Sequence, residues 1–329
     1  MRPFTYERAS DAAGASTLVA RDPDAAFLAG GTELVNWLKE GIARPTRLVD
    51  INRLGSLAEI SATPDALWIG ALARMSDVAV HRTVREDYPA IAQALLRSAS
   101  AQLRNMASMG GNLMQKTRCP YFRADVALPC NKRTPGSGCS MREGNDRSAS
   151  LFGWSDACLA THPSDAAVAL AAFDAIVHVQ GSGTQRAVPI DDFYRLPGDE
   201  PTNETTLSHG DLIVAIEVPA GATTRRSHYL KVRERGSYEF ALVSVAMGVE
   251  FAEGTLSGVR IALGGLAPKP WRLRQAEASL RGGEFTTAAI RSAIDADFSY
   301  ARAGRENAFK IELAKRAVVR AAQALGARR

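Results

Sequence analysis

The sequence predicts an α+β protein of two parts, and three features of the chain support this fold class. Short apolar strand and helix patterns alternate irregularly up to residue 218. A polar segment, residues 219–227, follows them and marks the predicted boundary. Beyond it, three strand patterns separated by turns precede two or three helices. That order is typical of an antiparallel meander with helices packed against it.

In the first part, residues 25–31 predict a short buried strand that runs into a Gly-Gly turn, and the next helix ends at Gly41. The elements predicted next are strands over 46–51 and 67–73, a helix with Ser76 as its N-cap, and one helix over 89–104 with proline in its first turn. After the glycine turn SMGGN and a long polar stretch, we expect a helix over 166–173 and strands over 175–181, 186–190 and 211–218.

The second part contains the three strand patterns, over 228–235, 240–251 and 256–266. The last helix is predicted over 306–325, where apolar residues recur at helical spacing.

Composition excludes several classes of protein. The chain is 46% hydrophobic and 23% charged, as expected for a globular protein. Its net charge of +5 does not indicate nucleic-acid binding, because basic residues alternate with acids, as in Arg233, Glu234 and Arg235. The longest apolar stretch, residues 166–177, is too short to span a bilayer and contains Asp174. We also expect no signal peptide, since the first residues lack an apolar region.

All four cysteines of the chain, Cys119, Cys130, Cys139 and Cys158, fall in one 40-residue window. The window is polar, basic and rich in glycine and proline, which indicates a metal centre on a loop. The spacing C-x10-C-x8-C-x18-C lacks the closely paired cysteines of structural zinc sites. Four thiolates at wide spacing favour an iron–sulfur cluster. Zinc, two disulfides and four free thiols remain the alternatives.

Two Gly-Gly turns lie about 80 residues apart, in LAGGTEL (28–34) and SMGGN (108–112). Consecutive glycines let the backbone approach a ligand closely and direct several N–H groups at one anion. Neither turn fits the Rossmann or P-loop pattern. Each alone is explained by a tight turn, but the pair favours a diphosphate cradle.

The order of these motifs (strand, AGGT, helix, SxGGN, PSD, strand, K-x-R) resembles the FAD-binding medium subunit of the xanthine dehydrogenase and aldehyde oxidase family of molybdenum hydroxylases. The resemblance covers essentially the whole chain. It implies a two-part PCMH-type FAD-binding domain over residues 1–221, with a cysteine-rich insertion at about 113–160. A CO-dehydrogenase-flavoprotein-like domain of three antiparallel strands plus helices is implied over 222–329.

The resemblance also implies which residues bind FAD. Asp165 of PSD is implied to hydrogen-bond the FAD sugar chain, Ile213 to pack on the flavin ring, and Lys231 to lie near the polar edge of the flavin. The two glycine turns are implied to wrap the pyrophosphate, through Leu28, Ala29, Gly30, Gly31, Thr32, Glu33 and Leu34 in the first and Ser108, Gly110, Gly111 and Asn112 in the second.

The insertion is where the chain departs from most family members, because 52 residues separate Asn112 from Asp165. It resembles two branches with a cluster loop, the periplasmic-type aldehyde oxidoreductase flavin subunit and the 4-hydroxybenzoyl-CoA reductase flavin subunit. The sequence around the cysteines is more similar to the first. That resemblance implies a [4Fe–4S] cluster held by Cys119, Cys130, Cys139 and Cys158.

The implied function is electron transfer within a heteromeric molybdenum-dependent aldehyde oxidoreductase. A large molybdopterin-binding subunit would oxidise the aldehyde, and a small [2Fe–2S] subunit would deliver electrons to the FAD of this chain, which passes them to a soluble external acceptor. No catalytic residue beyond the flavin is expected on this chain. Such a complex is cytoplasmic, or periplasmic if a partner carries the export signal.

Other functions stay open from the sequence. The chain could serve a 4-hydroxybenzoyl-CoA-reductase-like or another molybdenum hydroxylase. A stand-alone flavin oxidase would need a catalytic base, and none is evident. A zinc or nucleic-acid module leaves both glycine turns unexplained. His162 is interpreted as a structural hydrogen-bonding residue, and Arg235 and Tyr238 either face the flavin or are structural.

Overall fold

The computed structural model describes residues 1–327, and the chain begins with a small parallel sheet. Its three strands lie in the order β1-β3-β2, with β3 in the centre. Helix α2 ends at Gly41, which adopts a left-handed conformation with φ 69°. The bounds in this region are β1 Thr5–Arg8, α1 Ala12–Ala20, β2 Ala25–Leu28, α2 Leu34–Glu40 and β3 Arg47–Asp50.

A five-stranded antiparallel sheet follows, in the order β4-β5-β8-β6-β7. Its strands are β4 Ile60–Ala62, β5 Ala66–Gly70, β6 Ile176–Gln180, β7 Gln185–Pro189 and β8 Leu212–Pro219. The accompanying helices are α3 Met75–Val80, α4 Arg82–Asp87, α5 Pro89–Arg97, α6 Ala101–Met106, α7 Met109–Leu113, α8 Pro120–Arg123, α9 Asp165–Ala172 and α10 Ile190–Phe193.

The C-terminal region is a four-stranded antiparallel sheet, in the order β12-β11-β10-β9, covered by helices. Its elements are α11 Ala222–Arg225, β9 Ser227–Val232, β10 Val243–Ala252, β11 Thr255–Gly264, β12 Trp271–Arg272, α12 Arg274–Leu280, α13 Thr287–Phe298 and α14 Phe309–Ala324. The predicted fold class is confirmed. The two-residue strand β12 and the short helix α11, within the segment predicted as a polar linker, were not predicted.

The hydrophobic core runs without interruption from the five-stranded sheet into the C-terminal sheet. Helix α9 is buried along its whole length and contacts β10 and β11. The core cluster around it also includes Tyr229, Ala246 and Ala262 from the C-terminal strands. The two sheets therefore share one hydrophobic core cluster that contains α9.

The predicted helix over residues 89–104 is wrong, because the chain forms two helices with a break at residues 98–100. Ser98 Oγ lies 2.9 Å from Ala94 O, which replaces the regular helical contact at this point. Ala99 adopts φ 46°, a conformation that alanine seldom takes. Ser100 then caps α6 by accepting a hydrogen bond from Leu103 N.

Two local predictions near this break are also wrong. Ser76 is not an N-cap, since α3 begins one residue earlier at Met75 and Arg74 precedes it. The motif SMGGN is the start of α7 rather than a free turn, with Ser108 as its N-cap. Within residues 1–327, no helix is long and apolar enough to cross a membrane.

Candidate functional site: a cofactor cavity beside a cysteine cluster

A cavity of about 730 Å³ lies between the parallel sheet, α7, the start of β8 and β9. We call it the cofactor cavity, and its volume lies within the range of about 300–1,000 Å³ that is usual for ligand pockets. Leu28, at the end of β2, does not line it. The other residues that the sequence implied for FAD binding line it together: Ala29, Gly30, Gly31, Thr32, Glu33, Leu34, Ser108, Gly110, Gly111, Asn112, Asp165, Ile213 and Lys231.

The two glycine motifs meet at one side of this cavity. A Cβ on Gly30 would lie 1.8 Å from Met106 O, so only glycine fits against the backbone that leads to the second motif. Arg74 secures the same contact by donating Nη1 to Met106 O and Nη2 to Asn52 Oδ1. Gly31 has φ 71°, in the left-handed region. The glycines are thus required by the packing as well as available to a ligand.

Asp165 stands at the N-terminus of α9, and its carboxylate is almost completely buried. Tyr229 donates its hydroxyl to Oδ1 at 2.5 Å, and Lys231 donates Nζ to Oδ2 at 2.8 Å. Ser98, from the break between α5 and α6, also donates to Oδ2, at 2.9 Å. A buried carboxylate needs such partners to offset its desolvation.

The loop after β9 closes one side of the cofactor cavity. Arg235 donates to Tyr238 O at 3.1 Å, and Tyr238 adopts φ 51° with an exposed ring. Both residues line the cavity, as do Glu239 and Phe240. Arg235 and Tyr238 therefore lie at the wall of the cofactor cavity.

The side chain of His162 has a different environment from the one that the sequence suggested. Its Nε2 is buried and has no hydrogen-bond partner among the described residues. The ring packs on Tyr194, with 4.5 Å between the ring centres. Burial lowers the pKa of His162 to about 4, so the imidazole is neutral at pH 7.

The four cysteines converge on a second, much smaller cavity, which we call the cysteine cavity. Its volume is about 10 Å³, and Cys119, Cys130, Cys139 and Cys158 all line it. All four are free thiols, three of them buried. Among residues 1–327, no group of three or more histidine, cysteine or acidic side chains forms a site for a single metal ion.

Backbone N–H groups are directed at two of these sulfurs. The N–H groups of Tyr121 and Phe122 point at Cys119, and that of Ala160 points at Cys158. Burial raises the pKa of Cys119 to about 12 and that of Cys158 to about 11, and the ammonium of Lys132 opposes the second shift. Both thiols are therefore protonated at neutral pH unless a cation displaces the proton.

A third cavity, of about 230 Å³, lies between the other two, and we call it the connecting cavity. It shares Arg118, Asp165 and Phe240 with the cofactor cavity. It shares Thr117 and Cys119 with the cysteine cavity. Arg118 lines the cofactor cavity and Cys119 lines the cysteine cavity, so two consecutive residues of the chain connect these sites.

The sequence analysis missed three residues of this site. Tyr229 precedes Lys231 by two positions on β9, and the period of a strand places both on one face. Ser98 lies in the motif Ser-Ala-Ser, which could have indicated a new N-cap at Ser100. Arg118 was counted only as part of the basic window around the cysteines.

Comparisons with known proteins agree with this architecture. The FAD binding domain in molybdopterin dehydrogenase matches residues 2–221, and the CO dehydrogenase flavoprotein C-terminal domain matches residues 228–325. The aldehyde oxidoreductase FAD-binding subunit PaoB of Escherichia coli K12 is 48% identical over 318 residues, which is 96% of each chain. The carbon monoxide dehydrogenase medium chain of Hydrogenophaga pseudoflava is 28% identical over 273 residues, which is 83% of this chain and 78% of the relative.

A solved structure of the carbon monoxide dehydrogenase from Hydrogenophaga pseudoflava superposes with a TM-score of 0.75, at 26% identity and covering 98% of both chains. The quinoline 2-oxidoreductase of Pseudomonas putida 86 superposes with a TM-score of 0.73, also over 98% of both chains, but at 22% identity this likeness concerns the fold alone.

The two family matches and the 48% identical relative identify the chain as a flavoprotein component of an oxidoreductase. The chain belongs to the family of FAD-binding medium subunits of molybdenum hydroxylases.

Proposed function

We propose that this chain is the FAD- and [4Fe–4S]-containing electron-transfer subunit of a molybdenum-dependent aldehyde oxidoreductase. The observation that carries the proposal is the pairing of a cofactor cavity with four converging cysteines in a member of this family. The aldehyde substrate is inferred from the 48% identical relative, whose name specifies an aldehyde oxidoreductase.

The residues of the cofactor cavity fit FAD. Two glycine motifs line one side of it, where a Cβ on Gly30 would clash with Met106 O. Asp165, Ile213 and Lys231 contribute a carboxylate, an apolar surface and an ammonium group on the other side. We assign the pyrophosphate to the glycine motifs and the flavin ring to the surface around Ile213.

The cysteine cavity fits an iron–sulfur cluster by the chemistry of its donors. Four free thiols converge there, and backbone N–H groups point at two of the sulfurs, as is favourable for cluster ligands. A cluster binds one thiolate at each iron, so its ligands lie farther apart than those of a single ion. Since about 10 Å³ is barely room for one water, the segment must open to admit a cluster.

When bound, FAD supplies the capacity to accept electrons singly and to release them in pairs. The chain's own residues bind and orient the cofactor and determine its electrostatic environment. Asp165 and Lys231 form a buried ion pair at the cavity wall, and the loop with Tyr238 also lines the cavity. We assign aldehyde oxidation to a large molybdopterin-binding subunit, electron delivery to a small [2Fe–2S] subunit, and the release of electrons to a soluble acceptor.

The test is to compare the purified complex with the same complex after removal of FAD. We expect the FAD-free complex to oxidise about one equivalent of aldehyde, visible as bleaching of its iron–sulfur absorbance, but to lose turnover with the external acceptor. Refilling with FAD should restore turnover. The isolated chain should not oxidise aldehyde. Undiminished turnover without FAD would contradict the electron-transfer role.

A further inference from the structure

We propose that Arg123 is a positioning residue for the cofactor cavity, acting through Glu33 on the first glycine motif. The cysteine segment, residues 113–160, would then support FAD binding in this chain. This inference rests on the proposed function, because it takes FAD as the ligand of the cavity.

Glu33 connects two arginines of the cysteine segment to the cofactor cavity. It lies within the first glycine motif, two residues after Gly31, lines the cofactor cavity and precedes α2. Arg118 donates Nη2 to its Oε2 at 2.7 Å, and Arg123 donates Nη2 to its Oε1 at 2.5 Å. The carboxylate is only 14% exposed, so the two ion pairs are less screened than surface pairs.

Arg123 is held in place by the cysteine segment and by α2. Its Nε donates to Thr117 O at 3.1 Å, within the cysteine segment. Its Nη1 lies 3.2 Å from Glu40 Oε2, at the last residue of α2. One guanidinium group therefore spans both ends of α2, from Glu33 to Glu40, and fixes the helix on the segment.

Apolar packing supports the same contact. Ile42, just after α2, packs against the buried cluster that contains Cys119, Cys130 and Cys158. Arg118 precedes Cys119 directly, and its guanidinium lies over the Phe240 ring at 4.9 Å. Its buried Nε has no hydrogen-bond partner within residues 1–327, and Arg118 also lines the cofactor cavity.

The consequence is a thermodynamic coupling between the cysteine segment and the cofactor cavity. A segment that is displaced takes Arg118 and Arg123 away from Glu33, which leaves a largely buried carboxylate without its cations. The first glycine motif must then reorganise before FAD binds. Such coupling is reciprocal, so bound FAD favours the ordered segment by the same factor.

The test is the affinity for FAD of the deflavinated complex, measured by quenching of flavin fluorescence. We expect Arg123→Met to weaken FAD binding about tenfold, within the usual range of coupling between two sites. The iron content of the variant should stay that of the wild type. The loss should shrink to less than about twofold in a Glu33→Gln background, since Arg123 acts through this carboxylate.

Arg142→Met is the matched control. Arg142 lies in the same segment, but its ion pair is with the exposed Asp156 and not with α2. It should leave FAD affinity unchanged. An equal loss in this control, an unchanged affinity in Arg123→Met, or a full loss in the Glu33→Gln background would each overturn the proposal.

Arg123→Lys covers the case in which the methionine variant does not fold. Lysine keeps one charge but cannot span Glu33 and Glu40 together, so its FAD affinity should lie between those of wild type and Arg123→Met. Wild-type affinity in a folded Arg123→Lys complex also overturns the inference. Failure of the proposed function is distinguishable from these outcomes, because it shows as a complex without flavin or without additional iron.

Discussion

Lys310, on α14, has a buried ammonium group with no acidic partner among residues 1–327. It donates Nζ to three carbonyl oxygens, those of Ser148, Ala149 and Gly265. These contacts connect the last helix to residues 148–149 of the cysteine segment and to Gly265, the residue after β11. Burial lowers the pKa of Lys310 to about 7, from an ordinary value of 10.5.

This shift predicts how stability depends on pH. Between pH 7 and 10 the unfolded chain retains the Lys310 proton and the folded chain has lost it, so the free energy of unfolding rises with pH. Below pH 7 both states are protonated, and the full penalty of the buried charge applies. The rise amounts to a few kcal/mol at most, on the order of 1.4 kcal/mol for each unit of pKa difference.

Urea unfolding of wild type and Lys310→Met from pH 7 to pH 10 checks this prediction. As the pH rises, the free energy of unfolding of the wild type should increase relative to that of Lys310→Met. Val318→Ala, a buried apolar change on the same helix, should show a constant difference. A constant difference for Lys310→Met as well would contradict the assignment.

Strand β9 links the C-terminal sheet to the cofactor cavity. Tyr229 and Lys231 lie on one face of the strand, and both reach Asp165 on α9. The side chain of Lys231 is only 1% exposed. Removing one member of a buried ion pair leaves the other charge uncompensated, which is more destabilising than replacing both members.

We therefore expect Lys231→Met to lower the free energy of unfolding by about 3–5 kcal/mol. The double variant Asp165→Asn with Lys231→Met should recover part of this loss, since the asparagine carries no charge. Denaturant unfolding of the two variants at pH 7 gives the comparison. Equal stability of the single and double variants would show that Asp165 and Lys231 do not form a coupled pair.

The sequence predicted elements well where the pattern is local. Strand β10 and helix α14 have long apolar repeats, and their positions were found within a few residues. The break at residues 98–100 was missed because Ser98 binds Asp165, 67 residues further along the chain. The pairing of Asp165 with Lys231 was also missed, because the two residues are far apart in the chain and each was considered only as a partner of a ligand.

At the scale of the whole molecule, the cofactor cavity and the cysteine cavity are neighbours, with the connecting cavity between them. The spacing of the cysteines indicated a common point, and the fold brings all four around one cavity. The sequence could not predict that the cysteine cavity lies near the first glycine motif, because α2 and the cysteine segment come into contact only in the folded chain. The contacts of Glu33 with Arg118 and Arg123 are the evidence for that neighbourhood.

The most direct test of whether this chain binds FAD and an iron–sulfur cluster is the cofactor content of the complex, purified anaerobically with its partner subunits. Flavin, iron and zinc are quantified per chain, with EPR of the dithionite-reduced sample. We expect one flavin, and four irons beyond those of the small subunit. These four should be lost in Cys139→Ser and retained in Ser140→Ala, the neighbouring control. Flavin without the additional iron would contradict the cluster, and a complex without flavin would contradict the assignment of the cofactor cavity itself.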